Sequence, residues 1–364
     1  MLFVIGHNHL AISTTDQHGN VVLKIFNEQT EYDAVWPKTN AKTTETNEKP
    51  GQKDNKTDQQ NNEIKFKNQM INERIMLLCG SFFQDKLLAV CDDQKRLLVW
   101  RVDTGSDQAS YQWQLHREFI VDRKLIKLIF PSCDHILGGD KSGDVHQFDL
   151  SSGSQKLLMG HCSMLLDMVL SSNGQNRQSN QYLITCDRDE KIRVSRYPNS
   201  YHIESYCLGH TEFVSSIVLI DDQTLVSGSG DGTLRLWQFV NGKQFKVHSC
   251  HDDLKINQNQ NNKIEQQEKT VNESQEKLND KLAIKSIDHS DGFLSVIFYN
   301  SSKLLIYHLN HDNILDQIKL IDCISFDDEL LHAKFDIKHP NSLWVLVKST
   351  KSPLKIYDVS FEKI

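Results

Sequence analysis

Between residues 224 and 239 the chain reads TLVSGSGDGTLRLWQF: an apolar-rich run, a turn of small and acidic residues, then Leu234 and Leu236 on one parity with Arg235 on the other, closed by Trp237. Period-two alternation on both sides of a tight polar turn predicts a β-hairpin rather than a helix. The phrase recurs. LLAVCDDQKRLLVWRV ends its alternation at Trp100, ILGGDKSGDVHQFDL at Phe148, and YLITCDRDEKIRVSRY places Ser195 where the aromatic would stand. Looser copies are LAISTTDQHGNVVLKIF at Phe26, LSVIFYNSSKLLIYHL at Tyr307 and LWVLVKSTKSPLKIYDV at Tyr357.

Two segments break the rhythm. Residues 31–70 and 250–282 are rich in Asn, Gln, Lys and Glu and poor in large apolar side chains, too poor to offset the entropy of ordering them, and both read as disordered insertions. The second carries a weak apolar spacing through Ile264, Val271, Leu278 and Leu282, enough for a short helix but not for a coiled coil. The remainder divides into seven units of about 42 residues, the period of a four-stranded propeller blade. Radial closure of small sheets also removes most of the edge-strand liability. The expectation is an all-β, seven-bladed β-propeller in a single domain over 1–364, with the N-terminal LFVI strand completing the last blade.

Composition narrows the function. With 41 basic against 48 acidic residues the chain carries a net charge of −7, which argues against a binder of nucleic acid over its whole surface and leaves room only for a local basic patch. No apolar run approaches the roughly 18 residues of a membrane helix, and MLFVIGHNH lacks the basic region of a signal peptide, so a soluble intracellular protein is expected. The eight cysteines are scattered with no CxxC pair and read as buried, reduced thiols. The motifs GxGxxG after a strand, GxxxxGK[ST], HExxH and GxSxG are all missing, and the histidine pairs His248/His251 and His308/His311 read as solvated rather than metal-bound. No catalytic residue, metal or cofactor is expected on this chain.

His210, Ser227, Asp231 and Trp237 stand at the spacing of the WD-repeat tetrad, where the turn Asp anchors the His and the Trp closes a chain of hydrogen bonds. The sequence resembles WD repeats most clearly there, in the fifth unit. Ser, His and Asp together also suggest nucleophilic catalysis, but Ser227 lies in a strand-like run, not on a nucleophile elbow, and the structural reading is preferred. The fourth unit offers Gly160-His161 with Asp189 as the matching pair, 28 residues apart against 21, the surplus falling in the polar stretch 171–180. The remaining units are expected to rely on packing.

The fourth unit also has the most unusual turn. Seven charges fall within residues 187–197, where the fifth unit is small and glycine-rich. Ile192 and Val194 share the parity of Leu234 and Leu236; Lys191 and Arg193 take the other, and Asp189 and Glu190 sit at the tip. Arg193 aligns with Arg235, an ordinary place for arginine in such repeats, so spacing alone leaves partner contact and solvated charge equally open.

The strings CDRDEKIRVSRYP, ESYCLGHTEFVSSIVL and SGSGDGTLRLWQFVNGKQ, over about residues 157–245, resemble the non-catalytic WD-repeat subunit of the eukaryotic tRNA (guanine-N7)-methyltransferase, and the Asn/Gln-rich insertions resemble those of its insect, Wuho-type members. The resemblance implies a heterodimer with a separate catalytic chain that binds S-adenosylmethionine, residence in the nucleus and also the cytoplasm, and a scaffold role in seating tRNA for N7-methylation of a variable-loop guanine. It assigns partner binding to Asp189, Glu190, Lys191 and Arg193. Arg188, Lys191 and Arg196, cations near that interface, are expected to extend a basic track shared with the partner for tRNA phosphates. The alternative is a generic adaptor, in ubiquitin ligation or germline translational control with further regulatory partners, in which the charges of the fourth unit are plain surface. A propeller enzyme would need convergent titratable side chains that the sequence does not assemble.

Overall fold

The computed structural model describes residues 77–84, 86–104, 111–172, 181–255, 282–309, 318–336, 339, 341–349 and 354–359, together with the backbone of four strands between 3 and 35. Each repeat unit folds as one antiparallel sheet with its strands in chain order. The first holds β1 (Phe3–Ile5), β2 (Leu10–Thr15), β3 (Val21–Phe26) and β4 (Glu31–Val35); the second holds β5 (Leu77–Phe83), β6 (Leu87–Asp92), β7 (Arg96–Thr104) and β8 (Tyr111–Ile120). The third is built from β9 (Leu125–Ser132), β10 (His135–Asp140), β11 (Asp144–Asp149) and β12 (Gln155–Gly160), and the fourth from β13 (Leu165–Leu170), β14 (Gln181–Asp187), β15 (Ile192–Tyr197) and β16 (Ile203–Cys207). The fifth contains β17 (Val214–Leu219), β18 (Thr224–Ser229), β19 (Thr233–Gln238) and β20 (Lys243–Ser249). The sixth contains β21 (Ile284–Ser290), β22 (Phe293–Phe298), β23 (Lys303–Leu309) and β24 (Ile318–Ser325), and the last only β25 (Leu330–Phe335), β26 (Ser342–Val347) and β27 (Leu354–Asp358).

The core lies between neighbouring sheets because alternate side chains of the middle strands face opposite ways. Ile192 and Val194 of the fourth blade pack with Leu225 and Trp237 of the fifth, and Leu234 and Leu236 pack onward against Leu294 and Leu305 of the sixth. Trp237, Phe239 and Tyr307 are fully buried. At roughly 25 cal/mol per Å² of apolar area, these seams supply the main driving force for closing the ring.

Polar links join the inner strands near the axis. Lys127 of the third blade sits 2.6 Å from Asp167 of the fourth. The other oxygen of Asp167 accepts from the Ser216 hydroxyl and the Ile217 amide of the fifth, both at 3.1 Å. Ser216 in turn accepts from the Ile287 amide of the sixth, and Asp288 accepts from Phe335 of the last.

Three expectations are corrected. Among the described residues the ring has six complete four-stranded blades, not seven, and the last sheet has three strands; the LFVI segment does not complete it but is β1 and pairs with β2 (Phe3↔Ile12) in a sheet of its own. The first insertion does not begin at 31: Glu31–Val35 pairs with β3, and its alternation was hidden by its acidic composition. The second does not begin at 250. Residues 250–255 are helical, Cys250 and Leu254 are buried one turn apart against the fifth and sixth blades, and Asp253 accepts from Tyr307 Oη at 2.9 Å and bonds His248 Nε2 at 2.7 Å. The rest of both insertions, residues 36–70 and 256–281, lies outside the described residues, as do 173–180.

Candidate functional site

In the fifth blade the tetrad is complete and has a direction. The Trp237 indole N–H donates to Ser227 Oγ at 2.8 Å, and Ser227 meets His210 Nε2 at 2.7 Å. His210 Nδ1 meets Asp231 Oδ2 at 2.8 Å. With Nδ1 protonated toward the carboxylate, Nε2 is the acceptor for the Ser227 hydroxyl, so every buried polar atom of the chain is used. Burial lowers the pKa of His210, outweighing the pull of Asp231. Burial also opposes charge on Asp231, but the bonds from His210 and Thr233 outweigh it and hold its carboxyl well below the usual range. Ser227 is fully buried; this is a structural clamp, not a nucleophile. The absence of a side chain at Gly209 belongs to it: a β-carbon there would sit 2.6 Å from Arg235 Nη1.

The fourth blade solves the same problem with a different aspartate. His161 Nδ1 meets Asp187 Oδ2 at 3.0 Å, and His161 Nε2 meets Thr185 Oγ1 at 2.7 Å. The expected partner, Asp189, is not used. Asp187 also accepts from the backbone amides of Asp189 and Lys191 through its other oxygen. Burial opposes its charge, yet the His161 bond and these amides outweigh that and lower its pKa. The same first turn position anchors the second blade, where Asp92 accepts from the amides of Gln94 and Arg96. It anchors the third as well, where Asp140 accepts from Ser142 and Asp144. In the fifth blade that position is Ser229, and the acid has moved to 231. The recurrence Asp92, Asp140, Asp187 is visible in the sequence and is the signal that the tetrad spacing alone misses.

With Asp187 holding the turn from inside, Arg188, Asp189, Glu190 and Lys191 all stand exposed at the tip. Glu190 has φ +68°, the left-handed region that Lys95 also takes at the matching position of the second blade (φ +66°) and that glycine takes at Gly143 and Gly232.

The description of the tRNA methyltransferase TRM82 WD40 domain fits residues 151–355, more than half of the chain. The chain belongs to that family. Similar proteins are the tRNA (guanine-N(7)-)-methyltransferase non-catalytic subunit wdr4 of Xenopus laevis and the non-catalytic subunit wuho of Drosophila ananassae. The first is 45% identical over 166 residues, covering 44% of this chain and 38% of that protein; the second is 45% identical over 115 residues, covering 31% and 27%. The chain thus spans well under half the length of these relatives. A chain in the crystal structure of the mitotic checkpoint complex shares the fold at 12% identity, with a TM-score of 0.65 over 99% of this chain and 90% of that one.

Placed on this TRM82-family propeller, the remaining sequence-derived residues separate into two kinds. Arg193 is half buried: Nε donates to Ser195 Oγ at 3.0 Å, Nη1 to the Gly160 carbonyl and Nη2 to the Ser200 carbonyl, each at 3.1 Å. It ties β15 to the loop carrying His161, with burial lowering its pKa. Arg196 is engaged by Glu204 on the neighbouring strand. The tip residues 188–191 are the ones presented outward. Among the described residues, Asp140, Asp144 and His146 form an acid–histidine group on the third blade, but Asp140 is already committed to its turn amides. Cys133 and Cys162 are exposed and Cys323 is half-buried, against the expectation that thiols are buried; the other five are buried. No described helix is long and apolar enough to cross a membrane.

Proposed function

We propose that this chain is the non-catalytic subunit of a tRNA (guanine-N7)-methyltransferase, holding a separate catalytic chain through the tip of the fourth blade. The observation that carries the reading is the turn 188–191: four charged side chains stand exposed at the tip while Asp187 alone anchors it from inside. The frog and fly relatives, both non-catalytic subunits of a tRNA (guanine-N(7)-)-methyltransferase, supply the nature of the partner.

In this reading Asp189, Glu190 and Lys191 meet the catalytic chain, and Arg193 sets the turn's base by holding Gly160 and Ser200 in place. S-adenosylmethionine belongs to the catalytic chain. Arg188 and Lys191 are the exposed cations that extend a track for tRNA phosphates, while Arg196, neutralised by Glu204, contributes less. The dimer works in the nucleus and the cytoplasm on a variable-loop guanine.

The test is co-purification of the catalytic chain with the wild type and with a Glu190→Lys, Lys191→Glu double variant. The expected result is a stoichiometric complex with the wild type and its loss with the variant, together with loss of N7-methylguanine formation. Equal recovery of the catalytic chain by both would overturn the docking site.

A further inference from the structure

Beside the charged tip, the outer strand of the fourth blade carries an apolar strip that no described part of the chain covers. In β15–β16 Arg193 stands opposite Tyr206 and Ser195 opposite Ile203. Residues opposite each other in an antiparallel pair share a face, so Ile203 and Tyr206 lie on the Arg193 side, away from the buried Ile192, Val194 and Cys207. The same register runs on to bring Leu208 alongside Lys191. Ile203, Tyr206 and Leu208 are 39, 42 and 60% exposed, and Tyr201 in the turn just before β16 is 76% exposed.

The neighbouring blades do not repeat this. At the matching positions the fifth blade has Gln244, Val247 and Ser249, and the third has Gln155, Leu157 and Gly160. The second blade comes nearer, with Leu115 and Ile120 exposed on either side of Glu118; among the described outer strands the fourth places three large apolar side chains in line, beside the unusual turn. Resting on the function proposed above, we infer that Ile203, Tyr206 and Leu208 are the apolar anchors of the same interface, seating an apolar ridge of the catalytic methyltransferase chain while Asp189, Glu190 and Lys191 form its polar rim.

The chemistry selects a protein occupant. Stable interfaces pair an apolar centre rich in Tyr and Arg with a charged border, which is the arrangement of Tyr206 over Arg193 bordered by the tip. A strand of RNA needs cations along its backbone and flat rings for its bases; here two of the three anchors are aliphatic, and the cations beside them are offset, Arg188 and Lys191 by Asp189 and Glu190 in the same turn and Arg196 by Glu204. The charged rim sets approach and register, and the strip supplies the slow dissociation.

The experiment measures the affinity of the purified full chain for the purified catalytic chain by titration calorimetry. The variants are a Tyr206→Ser, Leu208→Ser double, a Tyr206→Phe, Leu208→Met double, Val247→Ser at the matching place in the fifth blade, and Glu190→Lys. The serine double is expected to weaken binding on the order of thirtyfold, as loss of a central anchor does. The conservative double and Val247→Ser are expected to stay within about threefold of the wild type, as changes outside an interface centre do. All variants should melt with the wild type, since the altered side chains are exposed. If the wild type does not bind the catalytic chain, the proposed function falls. If it binds and Glu190→Lys weakens it while the serine double does not, the function stands and the strip is not part of the interface. A serine double that keeps its protein affinity but weakens tRNA binding by the isolated chain also overturns the inference.

Discussion

His161 reaches Asp187, not Asp189: Nδ1 lies 3.0 Å from the Asp187 carboxylate, and the aspartate two residues on is left at the surface. Two acids of one turn therefore have opposite duties. Asp187→Ala removes the acceptor for a buried imidazole and for two backbone amides, and should cost about 2–3 kcal/mol of stability. Asp189→Ala should change stability by no more than about 0.5 kcal/mol and act instead on partner binding. Urea denaturation of the two variants, alongside co-purification, separates the roles; equal destabilisation by both would contradict the geometry.

Glu190 yields a prediction of opposite sign for folding and assembly. Its φ of +68° is one that glycine adopts freely. Glu190→Gly relieves that strain at the expense of a more flexible unfolded chain, for a net gain of up to about 1 kcal/mol. The same change deletes a rim charge. A variant that melts higher and binds its partner less well is the expected outcome, read by thermal denaturation and titration on one preparation.

The fifth-blade tetrad sets a pH dependence. His210 has a folded pKa below its unfolded value of about 6.5, because burial favours the neutral ring. Asp231 has one below its unfolded value of about 3.9. In both cases the unfolded chain takes up the proton first as pH falls, so the stability these groups contribute is complete above the unfolded value and is lost toward the folded one. Stability should decline from about pH 6.5 through the titration of His210 and more steeply below about pH 4 through that of Asp231. Denaturation midpoints between pH 7 and 3 test this, and Asp231→Asn should flatten the steeper limb.

Arg193→Leu should loosen the fourth blade as well as the complex. Three hydrogen bonds to Ser195, Gly160 and Ser200 disappear, at about 1–2 kcal/mol in total because part of the group faces solvent. The loop at Gly160 then shifts under His161 and the tip above it. Lys191→Leu, fully on the surface, should weaken the complex without lowering the melting temperature. Native-gel assembly and melting curves on the pair distinguish positioning from contact.

The alternation around Trp237, Phe148 and Trp100 made the sheets and their repeat legible, because a period of two with a polar turn has few other physical solutions. The tetrad of the fifth blade was legible for the same reason. What failed was local. In the fourth turn Asp187 and Asp189 are both within reach of a histidine, and spacing counts cannot weigh which carboxylate also satisfies two amides. Glu31–Val35 and residues 250–255 were lost to composition: a short strand is held by its backbone pairing, and a single helical turn needs little apolar content when its neighbours supply the contacts, as Tyr307 does for Asp253. The closure of the last blade by LFVI was inferred from a general habit of such rings, while the register of Phe3 with Ile12 places that strand elsewhere.

Asp167 lies on β13, the inner strand of the fourth blade, while Ile203 and Tyr206 lie on β16, the outer one. One carboxylate receives Lys127 from one side and Ser216 with Ile217 from the other, so the blade's pitch about the ring is fixed where it is narrowest. A wedge pivoted at its thin end magnifies small rotations at its broad end. Any change that lets the blade swing about Asp167 moves Tyr206 on the outer strand sideways much farther than it moves the pivot, and the fit with a partner there would degrade while every residue of the outer edge remained unaltered. Sequence changes that weaken assembly are therefore to be sought at the hub as well as on the rim.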